Sequence, residues 1–302
     1  MQGRDLLGMC ALRSRSLSVD AASILKTKED LRSKYPVGSV DLELDSKSEI
    51  AVIRLCHPAR RNALSGKMMA ELNDRITELK NWKGRGLVLC GGISPSPASF
   101  CSGGDLKTMS GIMSEGPSAG MAMCALMQDS MVKLRALPLV SVAVIHGTAI
   151  GGGAELTTWC DYRVFTTEGS VSFVQIKMGL TTGWGGGSGL MEILGRRKTL
   201  KLLLAGPKIS LRCDDAESWG YSDATVSVSP GDDPAEKGKE FLLNSVLNSE
   251  LDSGVGRAVK KMVASVAVEP CISNSLDKER EVFGEVWGGP VQQAAFAQFL
   301  KR

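Results

Sequence analysis

The stretch Leu139–Asp161 reads LVSVAVIHGTAIGGGAELTTWCD and predicts a strand, a glycine turn and a helix start. Its first part, Leu139–Ile145, is a short valine-rich run, which is typical of a buried strand. Three glycines, Gly151–Gly153, then precede Glu155. Glycine allows close backbone approach, and a helix start presents unpaired N–H groups and a positive dipole end. The stretch can therefore face a developing negative charge, with one carboxylate nearby.

Composition predicts an ordinary soluble globular protein. The chain has 302 residues, 43% hydrophobic and 23% charged, with a net charge of +3, so nucleic acid is not the default partner. No apolar run approaches the roughly 20 residues of a membrane helix. The eight cysteines are dispersed without a CxxC pair, which predicts reduced core thiols. With only two histidines, His57 and His146, we expect no metal site and no cofactor.

The order of patterns predicts an α/β fold followed by a helical tail. We expect a core over residues 38–230 and a helical subdomain over 231–302. Residues 1–37 are rich in Arg, Lys and Ser, and they read equally well as a weak mitochondrial transit peptide or as a flexible tail.

Local patterns predict most of the elements within the core. Val40–Leu44 and Ile50–Leu55 form a hairpin, Ser65 caps an amphipathic helix, and Gly86–Cys90 is a buried strand. The segment from 109 to 120 is predicted to be loose because it holds several Gly, Ser and Pro residues. Further helices are expected at 121–136, 188–195, 196–204, from a Ser210 cap to 219, 235–249, 255–268, 272–287 and on to 300.

A second glycine loop, Phe100–Asp105, also follows a buried strand. Two such loops could each donate one backbone N–H to a single oxygen, which is the arrangement of an oxyanion hole. Glycines at these places are also typical of tight turns. The chain contains no GxGxxG, GxxxxGK[ST] or GxSxG sequence, so dinucleotide, P-loop and serine-hydrolase sites are not supported.

Taken together, FCSGGDL at 100–106, HGTAIGGGAEL at 146–156 and RNAL at 61–64 resemble the crotonase (enoyl-CoA hydratase/isomerase) family. The resemblance covers residues 38–302 and implies a spiral of ββα units, a C-terminal helical subdomain for trimerisation, and an acyl-CoA thioester as substrate. It places the two oxyanion donors at the N–H groups of Ser102 and Gly152. The substrate contacts that it implies or suggests are Arg60, Asn62, Ala63, Leu64, Asp105, Leu106, Lys107, Gly151, Lys177 and Trp184.

The second catalytic position argues against hydration. Hydratases of this family carry a second glutamate four residues after a phenylalanine, and that position after Phe173 is Lys177. Water addition needs one group to deprotonate water and another to protonate carbon. Details around residues 153–201 and 277–290 resemble a decarboxylating branch instead. We therefore expect loss of CO2 from a 2-carboxyacyl-CoA, such as ethylmalonyl-CoA giving butyryl-CoA, with methylmalonyl-CoA a weaker substrate.

In this reaction Glu155 either protonates the enolate or serves only as part of the helix start. Trp184, Leu180 and Ile176 are expected walls of the site, and Lys177 could equally be a solvated surface residue. The alternatives are a hydratase or isomerase, and a non-enzymatic RNA-binding relative with Arg257–Lys261 as its basic helix. We expect a homotrimer or hexamer that does not bind membranes. It is expected to act as a metabolite-repair enzyme in the cytosol, with the mitochondrion as the alternative.

Overall fold

The computed structural model describes residues 20–93, 98–228, 232–247, 250, 252–269 and 271–299. Within these residues the strands are β1 (Ser39–Asp45), β2 (Ile50–Cys56), β3 (Gly86–Gly91), β4 (Ser99–Cys101), β5 (Val140–Ile145), β6 (Thr148–Ile150), β7 (Tyr162–Thr166), β8 (Ser170–Ser172), β9 (Leu211–Arg212) and β10 (Ala224–Val226). The α-helices are α1 (Ala21–Lys34), α2 (Gly66–Glu78), α3 (Leu106–Ser114), α4 (Pro117–Ala136), α5 (Gly152–Thr157), α6 (Gly186–Ala205), α7 (Cys213–Trp219), α8 (Pro234–Phe241), α9 (Ser253–Ala267), α10 (Ile272–Val286) and α11 (Pro290–Phe299).

From β3 to β8, consecutive strands alternate between two sheets. The larger sheet has the order β1-β2-β3-β5-β7-β10 and the smaller one the order β4-β6-β8-β9. Only the β1–β2 and β8–β9 pairs are antiparallel. Each pair β3–β4, β5–β6 and β7–β8 sends one strand to each sheet before the chain enters a helix. The chain therefore advances as a spiral, and the ends of β4 and β6 become neighbours.

The central strands are apolar on both faces because both faces are covered. Along β5, Val142 and Val144 face a small core that includes Leu242, whereas Ala143 and Ile145 face the main core. The face of the larger sheet that carries Val142 and Val144 is covered by α8 and by a π-helical turn, Leu242–Val246. The domain boundary predicted at residue 230 stays a prediction, but α8 itself packs on the sheet.

The predicted flexible tail is wrong for Ala21–Lys34, which forms α1. Asp20 caps this helix by accepting a hydrogen bond from the Ser23 N–H. Leu31 is 6% exposed in the main core. Ion pairs from Lys28 and Arg32 reach Asp74 of α2. The part of the tail prediction at 1–19 lies outside the described residues.

The predicted loose segment at 109–120 is also wrong, because α3 and α4 cover most of it. Asp105 caps α3, and Pro117 starts α4 after Gly116, whose φ is +90°. Gly111 is required by packing, because a Cβ there would overlap the Tyr35 hydroxyl. Glycine in this segment therefore reflects close contact as well as a turn.

Two further helix predictions have different outcomes. The helical runs at 188–195 and 196–204 are confirmed as the two halves of α6, which kinks at Gly195, where φ is +70°. The cap predicted at Ser210 is wrong, since α7 begins at Cys213 with Arg212 in the cap position. The Ser210 hydroxyl instead lies 2.9 Å from the Ser172 hydroxyl, next to the β8–β9 pair.

Helix α9 is attached to the body by polar contacts. Lys260 pairs with Asp161, and the Arg257 guanidinium donates to the carbonyls of Trp82 and Gly84 at 2.9 and 2.7 Å. Cavities of about 690 and 860 Å³ lie along this helix, so its packing on the body is open. In the part of the chain that the structure describes, no helix is long and apolar enough to cross a bilayer.

We predict that Leu31→Ala lowers the free energy of unfolding by about 2–5 kcal/mol, because it empties a buried site in the core. Leu25→Ala on the same helix is the matched control, since Leu25 is 55% exposed, and it should change stability by less than about 0.5 kcal/mol. Chemical denaturation at a fixed protein concentration measures both. Equal effects of the two substitutions would mean that α1 does not belong to the folded core.

Candidate active site

The two predicted glycine loops meet behind β4 and β6. These strands are parallel neighbours, and the glycines follow each of them directly. A Cβ on Gly153 would overlap the Cys101 carbonyl. A Cβ on Gly103 would lie 2.9 Å from the Ile150 oxygen and 3.2 Å from the Gly152 nitrogen. Only glycine allows this approach, so the predicted pairing of the loops is confirmed.

Gly152 offers one free N–H group. Gly151 has a φ of +57° and precedes α5, in which Gly152 is the first residue. N–H groups in the first turn of a helix have no acceptor inside it. Across the described residues, the Gly152 N–H makes no hydrogen bond. It is therefore available to a ligand, and its role as an oxyanion donor stays a prediction.

Ser102 does not offer the second N–H group, and this prediction is wrong. The Ser102 N–H donates to the Arg61 carbonyl at 3.1 Å, and its hydroxyl donates to the Arg60 carbonyl at 3.0 Å. Both polar groups of Ser102 are thus used to hold the 60–64 loop against the end of β4.

Gly104 provides the free donor instead. The Gly103 carbonyl accepts a hydrogen bond from the Leu64 N–H at 2.8 Å. In a trans peptide the C=O and the following N–H point in opposite directions, so the Gly104 N–H points away from Leu64. It has no acceptor in the described ranges of the chain. The two free donors, on Gly104 and Gly152, therefore lie on adjoining backbone segments.

The expected substrate contacts divide into buried and exposed side chains. Asn62, Ala63 and Leu64 are buried. Asn62 holds the loop, because its amide donates to the carbonyls of Gly92 and Ser99 at 3.0 and 2.8 Å. Asp105 is also buried, where it caps α3. A ligand could therefore meet mainly the backbone of these residues, and their role as substrate contacts stays a prediction.

Exposed side chains at the same loops remain available to a ligand. Arg60 flanks the first loop, and Leu106 and Lys107 open α3 after the second. Lys177 is exposed on a 3-10 turn, Gln175–Met178. Trp184, by contrast, is 5% exposed and packs its ring on Gly152. Arg60, Leu106, Lys107 and Lys177 stay predicted contacts.

Glu155 is buried, and its carboxylate accepts four hydrogen bonds. Oε2 accepts from the N–H groups of Trp184 and Gly186 at 2.8 and 2.9 Å. Oε1 accepts from the Gln175 amide at 2.9 Å and from the Gly183 N–H at 3.4 Å. The carboxylate therefore caps α6 from another element, since it meets N–H groups at the start of that helix.

Burial raises the pKa of Glu155 above its ordinary value of 4.5, and the four hydrogen bonds offset part of that rise. Burial disfavours the charged form of a carboxyl group, whereas donors favour it. A proton is therefore held on Glu155 to higher pH than on an exposed glutamate. Glu155 is therefore a candidate proton donor.

Gln175 is a residue of the site that the sequence analysis missed. Its nitrogen donates to Glu155, but its own Oε1 is buried without a partner among the described residues. An amide carries donors at one end and an acceptor at the other. When turned over, it could accept a hydrogen bond from a protonated Glu155. Its only sequence signal is its place two residues after Phe173, in the turn that carries Lys177.

Neither histidine extends the site. His146 is buried at the end of β5, its Nδ1 lies 3.4 Å from the Val144 carbonyl, and burial lowers its pKa. Over the described residues, no group of three or more His, Cys, Asp or Glu side chains could hold a metal ion. The site thus combines two backbone donors with one buried carboxyl group, an arrangement that can stabilise an oxyanion and move a proton.

Comparisons with known proteins agree with this geometry. A family model described as Enoyl-CoA hydratase/isomerase matches residues 45–240. Ethylmalonyl-CoA decarboxylase of Xenopus laevis is 40% identical over 279 residues, covering 91% of this chain and 88% of the relative. The protein of that name from Bos taurus is 36% identical over 297 residues, covering 95% and 93%.

Solved structures match the fold. An enoyl-CoA hydratase from Bacillus anthracis has a TM-score of 0.73 at 20% identity, covering 87% of this chain and 96% of that one. A putative enoyl-CoA hydratase from Thermobifida fusca in complex with CoA has a TM-score of 0.66 at 24% identity, covering 91% and 98%. The predicted spiral α/β fold is confirmed by these matches.

We predict that Glu155→Gln lowers the free energy of unfolding by about 1–3 kcal/mol, because the new NH2 group cannot accept from the buried donors. Since the pKa of Glu155 is raised on folding, the wild type gains stability relative to the variant as the pH falls towards 4.5. Denaturation from pH 8 to pH 5 measures the difference, with the exposed Glu217→Gln as control. A difference that narrows on acidification would contradict the raised pKa.

Proposed function

The chain belongs to the enoyl-CoA hydratase/isomerase (crotonase) family, and within it we propose a carboxy-lyase that removes CO2 from a 2-carboxyacyl-CoA. The observation that carries this proposal is the pair of free N–H groups, on Gly104 and Gly152, beside a single buried carboxyl group, Glu155. The relatives that match most of the chain are named ethylmalonyl-CoA decarboxylase. We therefore propose ethylmalonyl-CoA as the substrate and butyryl-CoA as the product.

The proposed reaction begins with cleavage of the bond between the α-carbon and the carboxylate. The electron pair of that bond moves into the thioester and forms an enolate as CO2 leaves. Charge then accumulates on the thioester oxygen, next to the N–H groups of Gly104 and Gly152. Because these bonds are stronger to the enolate than to the neutral thioester, they lower the barrier and not only the substrate affinity. One such donor is typically worth about 2.7–4 kcal/mol.

The enolate then takes a proton at its α-carbon, and Glu155 is the proposed donor. Its raised pKa keeps a proton available, and Gln175 is placed to hold either protonation state. Water restores the proton after the product leaves. The first step needs no base, so a single carboxyl group is enough for the whole cycle.

Hydration is the weaker candidate, because Lys177 occupies the place of the second glutamate and lies exposed on its turn. No second carboxylate accompanies Glu155 among its contacts in the described residues.

RNA binding through α9 is disfavoured too. The three cations of the proposed basic helix are engaged within the fold: Arg257 with two carbonyls, Lys260 with Asp161, and Lys261 with Glu285.

The finer expectations stay predictions. They are weaker turnover of methylmalonyl-CoA, removal of a side product of carboxylation as metabolite repair, and a place in the cytosol or, alternatively, the mitochondrion. The homotrimer or hexamer is a prediction as well. Exposed apolar side chains on the last helices, such as Ile272, Phe283 and Trp287, support an assembly through that region.

We predict that the purified protein releases CO2 from ethylmalonyl-CoA and yields butyryl-CoA, with slower turnover of methylmalonyl-CoA. A panel of malonyl-type CoA esters, analysed by mass spectrometry, measures the products. Crotonyl-CoA in the same panel tests hydration, which should be negligible because the second carboxylate is missing. Hydration of crotonyl-CoA without release of CO2 from any malonyl-type ester would reverse the assignment.

A second prediction distinguishes Gly104 from Ser102 as the oxyanion donor. Replacing residue 104 by its α-hydroxy acid analogue converts the amide to an ester, which removes that N–H and also weakens the Gly103 carbonyl as the acceptor for the Leu64 N–H. We expect kcat to fall by about 10²–10³-fold. The same replacement at 102 removes the bond to the Arg61 carbonyl and should leave kcat within about threefold, at a cost in stability of about 1 kcal/mol. A larger fall in kcat from the replacement at 102 than from the one at 104 would identify the Ser102 N–H as the oxyanion donor.

A further inference from the structure

Trp184 touches both halves of the site. A Cβ on Gly152 would overlap three atoms of the six-membered ring of Trp184, so the indole lies flush against the Gly152 backbone. The Trp184 N–H donates to Glu155 Oε2 at 2.8 Å. One residue therefore contacts the oxyanion donor through its side chain and the acid through its backbone.

The backbone that carries the indole is held on both sides. Trp184 is 5% exposed, and its carbonyl accepts a hydrogen bond from the Trp159 indole at 2.9 Å. On one side, the Gly183 carbonyl accepts from the Gln128 amide of α4 at 2.8 Å. On the other side, Gly185 has a φ of +91° and packs beside Met131. The loop that carries Trp184 is thus clamped between α4 and α5.

We propose that Trp184 is a positioning residue, whose ring fixes the direction of the Gly152 N–H and whose backbone fixes the Glu155 carboxyl group. This inference rests on the proposed function. An oxyanion donor acts only when it is aimed at the place where charge develops, and a misplacement of about 1 Å can cost about 10²-fold in rate. Gly152 lacks a side chain that could anchor it, so the neighbouring ring supplies the anchor.

The ring has a second effect on the same N–H group. A buried apolar surface excludes water beside the donor, and a charge interaction is stronger where water is excluded. The ring therefore favours the enolate, which is charged at the oxygen, more than the neutral thioester. A residue that only filled a pocket would affect binding of the enolate and of the neutral thioester equally. A selective effect on the enolate therefore identifies a positioning role.

The experiment compares Trp184→Phe and Trp184→Ala with the wild type. Both variants keep the backbone N–H that binds Glu155, whereas the ring loses its contact with Gly152 and part of its packing in the main core. We expect kcat to fall about 10-fold for Phe and about 100-fold for Ala, with KM changed by less than about threefold. Trp219→Phe is the matched control, since Trp219 lies on α7, away from these contacts, with its ring against Lys201.

Affinity for an enolate provides the readout that a merely structural role would not move. Acetoacetyl-CoA ionises to a stable enolate with its own ultraviolet absorbance, whereas butyryl-CoA binds as the neutral thioester. The wild type should favour the enolate, and the Trp184 variants should lose about 10-fold or more of that preference. The ratio of the two Kd values refers to folded protein only, so it stays valid if Trp184→Ala folds poorly.

Unchanged kcat together with an unchanged enolate preference in Trp184→Phe and Trp184→Ala would overturn the inference. Equal weakening of both ligands would also overturn it, because that result means pocket filling. If the wild type releases no CO2 from any malonyl-type ester, the proposed function fails, whereas the enolate preference still tests the contact between Trp184 and Gly152.

Discussion

The close approach of two backbone segments is the constraint on which the rest of this structure depends. At the ends of β4 and β6 the two backbone segments lie so close together that a Cβ on Gly153 would overlap the Cys101 carbonyl. The spiral path creates this approach, because it makes the two short strands parallel neighbours. The same approach leaves the N–H groups of Gly104 and Gly152 without acceptors in the described part of the chain. Both glycines are only partly buried, so the two donors are accessible to a ligand.

Glu155 illustrates how one side chain can be required by the fold and available to chemistry. Burying a carboxyl group is costly unless donors surround it, and here the start of α6 supplies three N–H groups. The carboxylate also caps the N-terminus of α6, because Gly185, the residue in the cap position, has no side chain to do so. Burial still dominates and keeps the pKa of Glu155 raised. Glu155 therefore lies three residues after Gly152 with a raised pKa, and among the described residues no second carboxylate contacts it.

The sequence was sufficient for the parts of the fold and site that depend on local pattern. The valine-rich run of β5 and the glycine turn follow from residues adjacent in the chain, whereas the role of Gly152 came from the family resemblance and stays a prediction. The sequence could not show that the free N–H belongs to Gly104 and not to Ser102. It depends on which carbonyl accepts the hydrogen bond from the Leu64 N–H across the loop. Gln175 was missed for a similar reason, since it lies 20 residues from Glu155 in sequence. Helix α1 was hidden because only Ile24 and Leu31 of its residues are buried, too few to make an apolar periodicity visible.

The proposed oxyanion donors are backbone N–H groups, and such groups are insensitive to most side-chain substitutions. The donors of Gly104 and Gly152 depend on glycine conformation and on loop packing, neither of which involves position 177. With lysine at that position, the fold loses one proton-transfer group and retains the stabilised oxyanion together with a single acid. Of the reactions that pass through a thioester enolate, decarboxylation demands the least from side chains, because the departing CO2 leaves the electron pair behind without any base. The arrangement that remains therefore fits the proposed decarboxylation, and at position 177 it lacks the second carboxylate that water addition needs.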